Sequence, residues 1–540
     1  MSHNARDEHP TEDDGDDSGP EMLDMDDAAE EIDGDDGADG GDDVAMDSGD
    51  DDDDEELVLV NDSIAYFDLH KDSVFAIAQH PKYPSLVATG GSEGEGETAP
   101  GKGYVIDTSA AADRPLLPAS YSSDPSAAAN QPSSTELAPL FEMTGHTDSI
   151  NALTFTLPNG DFLVSGGMDG RMRVYSVAVG GGSVQFQFVG ESQEVPEINW
   201  LAPCPGRDYP NTVALGASDG SVWVLSIDPS ADPASPIQIV QSFFSHTAAC
   251  TAGTWTADGN LLATVSEDSS LQVWDVWGVA AGRGLVPGGA QALLSLTGED
   301  QRFEVPGGLY SVAVSPGGTL VAVGGAGGVI KVVTLPRLTG AQAAGTAKKG
   351  AAGGGAKQKG AARPTPAGQG SGAAATDPAQ FGTILASLEV QSDGIETLAF
   401  APPPMTLLAA GSVDGSIAVF DVTRSFALRR HIRLAHDDFS VVKVEWVKSA
   451  PASLTGGVAA GVGGPAQWLL TSIGMDGVVR RWDLRKNVTP DKPGDNGMVK
   501  EWRGHRGDGE GGGVLGFVQG DTGERITTAG DDGVVLVFDA

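Results

Sequence analysis

The chain has 540 residues with 76 Asp and Glu against 32 Lys and Arg, a formal net charge of −44. That charge argues against a nucleic-acid backbone as ligand and for a basic partner. Cys204 and Cys250 form no CxxC pair, so neither a disulfide framework nor a cysteine zinc site is expected.

The polar start MSHNARDEHP is no secretion signal, and no clean run of about 18 apolar residues occurs. The expectation is therefore a protein of a reducing compartment, the cytoplasm with the nucleus left open, and without a membrane partner. Residues 1–56 hold 27 acids and one Arg, against 49 acids and 31 bases in the remainder. A leader so acidic and so poor in aromatics cannot bury enough apolar surface to offset its ordering entropy, so a disordered tail is expected there and a folded domain over 57–540. With 75 Gly and no long helical periodicity, short strands joined by turns are expected, an all-β fold.

In chain order, NDSIAYFDLH (61–70) alternates Ile64, Tyr66 and Asp68 with Ala65, Phe67 and Leu69, the period of a strand. A first unit opens at His70, and its turn is stretched into SEGEGETAPGKG. A motif then recurs: a strand ending in small residues, an Asp turn, and an alternating strand closed by an aromatic residue or Leu. Its copies are SGGMDGRMRVYSV (165–177), GASDGSVWVLSI (216–227), TVSEDSSLQVWDV (264–276), AGSVDGSIAVFDV (410–422), SIGMDGVVRRWDL (472–484) and AGDDGVVLVFDA (529–540). GGAGGVIKVVTL (324–335) is a degenerate copy with Gly327 at the turn. Ahead of several copies stands Gly-His or a variant of it, carrying His146, His246, His436 and His505. The count is eight repeats, or seven if the Gly327 unit is an insertion. The stretches 108–138 and 340–379, the second containing KKGAAGGGAKQKGAARP, are expected to be disordered surface insertions.

Gly-His, a strand, an Asp turn and a strand ending in Trp-Asp resembles the WD40 repeat; WDV at 274–276 and WDL at 482–484 carry the literal dipeptide. The resemblance implies an eight-bladed WD40 β-propeller whose sequence repeats are offset by one strand from its blades. The last repeat ends after its third strand, so residues 61–70 are expected to supply the fourth and close the ring, which removes free sheet edges. Within the propellers, FDLHKDSVFAIAQHPKYPSLVATGG, EINWLAP with GASDGSVWVL, and GIETLAFAPPPMTLLAAGSVDGSIAVFD are similar to the family of the angio-associated migratory cell protein and the fungal ribosome-assembly chaperones. That similarity implies a monomeric, non-catalytic platform that captures a basic segment of a large-subunit ribosomal protein. The alternative it leaves open is a signalling or cytoskeletal scaffold linked to cell migration.

Ser165, His146 and Asp169, and again Ser472, His436 and Asp476, contain the residue types of a hydrolase triad. An enzyme needs one such set, whereas these repeat. The resemblance makes them structural, together with His246, Asp268, Trp274, Asp414, Trp482, His505 and Asp532. GETAPGKG (96–103) falls short of a phosphate-binding loop at Gly103, and the histidines lack ligand spacing, so no cofactor and no metal are expected. Partner binding is assigned to residues just before the turn Asp or early in the innermost strand: Glu194, Glu267, Glu396 and Asp531, with Asp148, Glu93, Glu95 and Glu97 nearby. Tyr310 and Phe75, with Met168 and Met475, are the expected packing positions.

Overall fold

The computed structural model describes residues 61–94, 99–113, 134–286, 291–338, 381–449, 465–485, 497–506 and 512–540. The acidic leader and the 340–379 stretch lie outside these residues, as do Glu95 and Glu97.

Eight antiparallel sheets follow one another along the chain. Their innermost strands are Ala76–Gln79, Ile150–Phe155, Ile198–Pro203, Cys250–Trp255, Leu309–Val314, Ile395–Phe400, Val441–Trp446 and Val514–Val518, which define blades 1 to 8. Each innermost strand packs on that of the next blade, and blade 8 on blade 1, so the sheets form a closed β-propeller. The Gly327 unit is blade 5, with Gly327 at φ 64° and Gly328 at φ 75° building the turn without a carboxylate. The ring therefore has eight blades, not seven.

The small residues of the repeat have a packing cause. The second strand of most blades, such as Phe162–Gly167 or Leu407–Ser412, is buried along its whole length. A Cβ on Gly90 would stand 2.6 Å from Ile150 Cγ2, and one on Gly166 2.8 Å from Ile198 Cγ2. Gly324 against Ile395 (2.6 Å) and Gly411 against Val441 (2.7 Å) repeat the same arrangement. Each of these glycines admits the first branched side chain of the following blade's innermost strand, which is how neighbouring sheets approach closely. The Asp turn has a second requirement, a residue at positive φ. Gly170 supplies it at 71°, and a Cβ there would also meet the Val195 carbonyl; blade 4 pays the strain instead with Ser269 at 62°.

Closure occurs where the sequence places it. Ala65–Phe67 joins blade 8 antiparallel to Val535–Asp539, with Ala65 opposite Val537, Tyr66 opposite Leu536 and Phe67 opposite Val535. Ala65 and Phe67 are fully buried, in one apolar cluster with Val74, Val87, Tyr104, Val535 and Val537 from both sides of the seam.

The ends of the 108–138 stretch depart from the expected disordered insertion. Thr108–Asp113 forms a 3-10 helix whose Ala111 is buried in the seam cluster, and the Thr108 carbonyl accepts from Arg525 Nη1 at 2.9 Å. Thr135–Glu136 adds to the closing strand as a fifth, parallel strand: Thr135 N donates to Ile64 O (2.9 Å) and Leu137 N to Tyr66 O (2.8 Å). A connection belonging to blade 1 thus straps the outer edge of blade 8. The Ala-, Ser- and Pro-rich composition of the stretch conceals this, because Leu137, 3% exposed, is buried only against the seam cluster of the closed ring. Truncating it, Leu137→Ala, is expected to cost about 2–5 kcal/mol locally and to speed amide exchange at Tyr66 and Phe67 before other blades respond. Unchanged exchange at those amides would show that the strap bears no load.

Candidate functional site

Seven of the eight innermost strands begin with a one-residue register shift, between Ile150 and Ala152, Ile198 and Trp200, Cys250 and Ala252, Leu309 and Ser311, Ile395 and Thr397, Val441 and Lys443, and Val514 and Gly516. A bulged residue is left out of the ladder and re-aimed. Asn151, Asn199, Thr251, Tyr310, Glu396, Val442 and Leu515 therefore stand at one level, and Phe75 holds the same place just before Ala76–Gln79. Tyr310 (36% exposed) and Phe75 (41%) are open while their neighbours Leu309, Ser311, Val74 and Ala76 are buried. For an innermost strand, the available solvent is the central opening. The expected positions Tyr310, Phe75 and Glu396 thus belong to one ring around the mouth, and Glu396 is its single carboxylate.

A second ring lies beside it. The amides of Met168, Ser218, Glu267, Ala326, Val413, Met475 and Asp531, each just before the turn, donate at 2.9–3.2 Å to the strand-entry carbonyls of Ser149, Glu197, Ala249, Gly308, Gly394, Ser440 and Gly513. Glu267 and Asp531 are thereby fixed at the rim, and Asp531 receives the Ser73 hydroxyl across the seam. Asp148 caps the Ser149 amide at 2.7 Å.

Two expected acids are placed differently. Glu194 sits at the end of blade 2's outer strand, where it accepts from Ser192 Oγ at 2.9 Å; Glu197 holds the strand-entry position instead. Glu93 is neutralised by Lys71 (2.8 Å) and Lys102 (3.5 Å), and its amide bonds Pro100 O across the base of the stretched turn.

Three rim acids were missed by sequence reasoning: Glu197, Asp72 and Asp393. Asp72 and Asp393 cap Ser73 and Gly394 at 2.8 and 2.7 Å as Asp148 caps Ser149. The signal was present in KDSV, TDSI and SDGI, three copies of one entry cap. Although Glu396 is solvent-exposed, crowding by the mouth and then the Asp393 carboxylate push its carboxyl above the ordinary range.

The repeated Ser, His and Asp residues lie inside the blades. In blade 7, Trp482 Nε1 donates to Ser472 Oγ (2.8 Å), Ser472 bonds His436 Nε2 (2.7 Å), and His436 Nδ1 meets Asp476 (2.8 Å). Blade 2 repeats this with Ser165, His146 and Asp169 at 2.8 and 3.1 Å, and blade 8 with Thr528, His505 and Asp532 at 2.8 and 3.0 Å.

Blade 4 differs from expectation. His246 Nδ1 bonds Ser270 (2.6 Å) while Asp268 stands 3.9 Å away and holds the Thr247 amide; Trp274 donates to Thr264 at 2.9 Å. In blade 6, Asp414 holds Ser392 and Ser416 amides, and Gln391 takes the histidine's place against Ser416.

Burial pushes the Asp169 carboxyl upward, but His146 and the Thr147 and Arg171 amides pull it further down, below the usual carboxylate range. Asp476 behaves likewise through His436 and Arg480. Burial lowers His436, outweighing Asp476, so the imidazole is neutral near pH 7.

A cleft of about 900 Å³ is at the other end of the strands, between the turns His80–Ser85 and Val518–Glu524. Its charges are paired, Lys448 bridging Glu445 and Asp521 and Arg525 meeting Asp539. Among the described residues no group of three or more His, Cys, Asp or Glu could hold a metal ion.

The WD domain, G-beta repeat family matches residues 137–176 and 237–275. Among known proteins, the chain is 32% identical over 225 residues to the ribosome assembly protein SQT1 of Saccharomyces cerevisiae, which covers 41% of this chain and 43% of that one. It is 23% identical over 472 residues to the human angio-associated migratory cell protein, 87% of this chain and 79% of that one. The crystal structure of Chaetomium thermophilum Sqt1 bound to the N-terminus of the ribosomal protein L10 is 58% identical, with a TM-score of 0.71, covering 89% of this chain and all of that one. The Saccharomyces cerevisiae Sqt1 structure, 23% identical with a TM-score of 0.60, shares the fold.

Two predictions separate the buried from the rim carboxylates. Asp476→Ala removes the charge-assisted bonds to His436 and Arg480, leaving Arg480 on Glu501 (2.9 Å), and should cost about 1.5–3 kcal/mol, whereas Glu267→Gln should leave the thermal midpoint in place. The folded pKa of Asp169 and Asp476 lies below the unfolded value. Their stabilisation is therefore complete above about pH 3.9 and fades as pH falls from there toward the folded value. Asn at either position should flatten that acid limb, and an equally steep limb would refute the assignment.

Proposed function

This chain belongs to the Sqt1 family of WD-repeat ribosome assembly proteins, and from that premise we propose that it is a non-catalytic chaperone holding the basic N-terminal segment of an L10-type ribosomal protein during large-subunit assembly. The observation that carries the reading is the 58%-identical Sqt1 bound to the L10 N-terminus, taken with a mouth rimmed by acids that no base neutralises among the described residues. Asp72, Asp148, Glu197, Glu267, Asp393, Glu396 and Asp531 come from blades 1, 2, 3, 4, 6 and 8 and make no ion pair with Lys or Arg among the described residues.

Their summed field steers Lys and Arg side chains to the mouth, raising the encounter rate and disfavouring premature contact of the segment with RNA. Glu396 has a specific part. Its raised pKa is the cost of holding a carboxylate beside Asp393 in a crowded site, and a bound cation relieves that cost. Phe75 and Tyr310, at the same level, offer aromatic faces to the stems or guanidinium groups of the segment. Glu194 stands apart from this constellation.

A catalytic role is disfavoured by the same geometry. The imidazoles of His146, His436 and His505 are fully enclosed and already bonded on both nitrogens, so no substrate can reach them. The cytoplasm is the proposed site of action, where a newly made ribosomal protein first exposes its basic segment.

Binding of a synthetic L10 N-terminal peptide to the full chain, followed by fluorescence anisotropy, should weaken steeply between low and physiological salt. Glu267→Lys and Glu396→Lys should each weaken it roughly 2- to 30-fold, since reversal removes one attraction of about 0.2–1 kcal/mol and adds a repulsion of similar size. Glu194→Lys should have little effect. Salt-insensitive binding, or equal losses at all three positions, would remove the acidic mouth as the site.

A further inference from the structure

The outer strands of the eight blades are chemically unequal. Those of blades 3 and 4 carry no charge, blade 8 ends on the added strand with Glu136, blades 1, 2 and 5 contribute Glu142, Glu191 and Glu389, and blade 7 carries Lys500 beside Glu501. Blade 6 alone is cationic without an acid: Ala427–Ile432 reads ALRRHI, preceded by Arg424 and followed by Arg433. In a chain of net charge −44 such a concentration is the reverse of the average surface.

Internal pairing does not account for it. Arg424 meets Asp421 at 3.7 Å and Arg430 donates to the Asp483 carbonyl at 3.2 Å. Arg429 and Arg433, both exposed, pair with no carboxylate among the described residues; Arg429 lies over the Trp468 ring at 4.7 Å. His431 between them buries Nε2 without a partner. The strand is also an edge: it pairs inward with Ile417–Asp421, and among the described residues nothing pairs with its outer side.

We propose that the outer strand of blade 6 is a docking edge for a short, extended, carboxylate-rich protein segment, which adds to Ala427–Ile432 as a further strand and places carboxylates against Arg429 and Arg433. The backbone row of an open edge is satisfied by another polypeptide strand, and the alternate spacing of about 7 Å along such a strand brings side chains to both arginines, four residues and about 13 Å apart. Leu428, 47% exposed, adds an apolar contact. A nucleic-acid strand meets the two guanidinium groups but not the backbone edge, and its repeated phosphates are repelled by the rest of the chain. This surface is separate from the mouth and does not depend on the client proposed above.

The test uses the full chain and a labelled, acetylated octapeptide of alternating Glu and Val. The expected results are saturable binding, slowed amide exchange within 427–432, and a loss of affinity of ~10-fold or more in R429E/R433E. R433E alone should reproduce part of the loss; Arg433 makes no hydrogen bond or ion pair among the described residues, so that variant keeps the fold. Capture of the basic L10 peptide should be unchanged in both variants. No binding of the acidic octapeptide, binding undiminished by R429E/R433E, or displacement by an RNA octamer at lower concentration than by unlabelled peptide would each overturn the proposal.

Discussion

Three residue pairs hold the ring shut: Ala65 with Val537, Tyr66 with Leu536, and Phe67 with Val535. They join segments some 470 positions apart in the chain, and a three-residue strand is a short one for that purpose. Two features reinforce it. Its buried side chains share a core with blade 1, and Thr135–Glu136 covers its outer edge. With the seam closed, Ser73 reaches Asp531, and the acids of blades 8 and 1 face one opening. An open array would present the same residues along a curved ribbon, where each carboxylate acts alone.

The carboxylates divide into two populations with opposite tasks, and the division is one of a single residue along the turn. Asp532 is turned into the blade, bonded to His505, and enclosed; Asp531 beside it keeps its carboxylate at the rim. Asp268 and Glu267 repeat the arrangement in blade 4, with the Thr247 amide rather than the imidazole as the direct partner of Asp268. The inner acid stabilises the entry loop through charge-assisted hydrogen bonds and thereby holds the rim acid in position. A binding surface of like charges is costly to assemble, and the rigid blades supply the constraint that keeps those charges together.

Charge is sorted over the rest of the molecule as well. The mouth is acidic, the cleft at the far end of the strands is internally paired, and one outer edge is cationic. This separation allows partners of opposite charge to be held on different parts of one ring.

The repeat grammar was legible in the sequence because it follows local rules: small residues where blades touch, an Asp at a tight turn, an alternating strand after it. The same rules made closure by residues 61–70 readable, since a last repeat with three strands needs a fourth. The entry caps Asp72, Asp148 and Asp393 were readable too, although only Asp148 was singled out. Other features were decided by the tertiary structure alone. The bulge that puts Phe75, Tyr310 and Glu396 on one level depends on the register between two strands. Glu197 rather than Glu194 occupies the rim because of where blade 2's outer strand ends. Leu137 acquires a role only when a neighbouring blade presents it with a pocket. Periodicity reports which face of a strand is buried, but which distant side chains share that face is set by the closure of the ring.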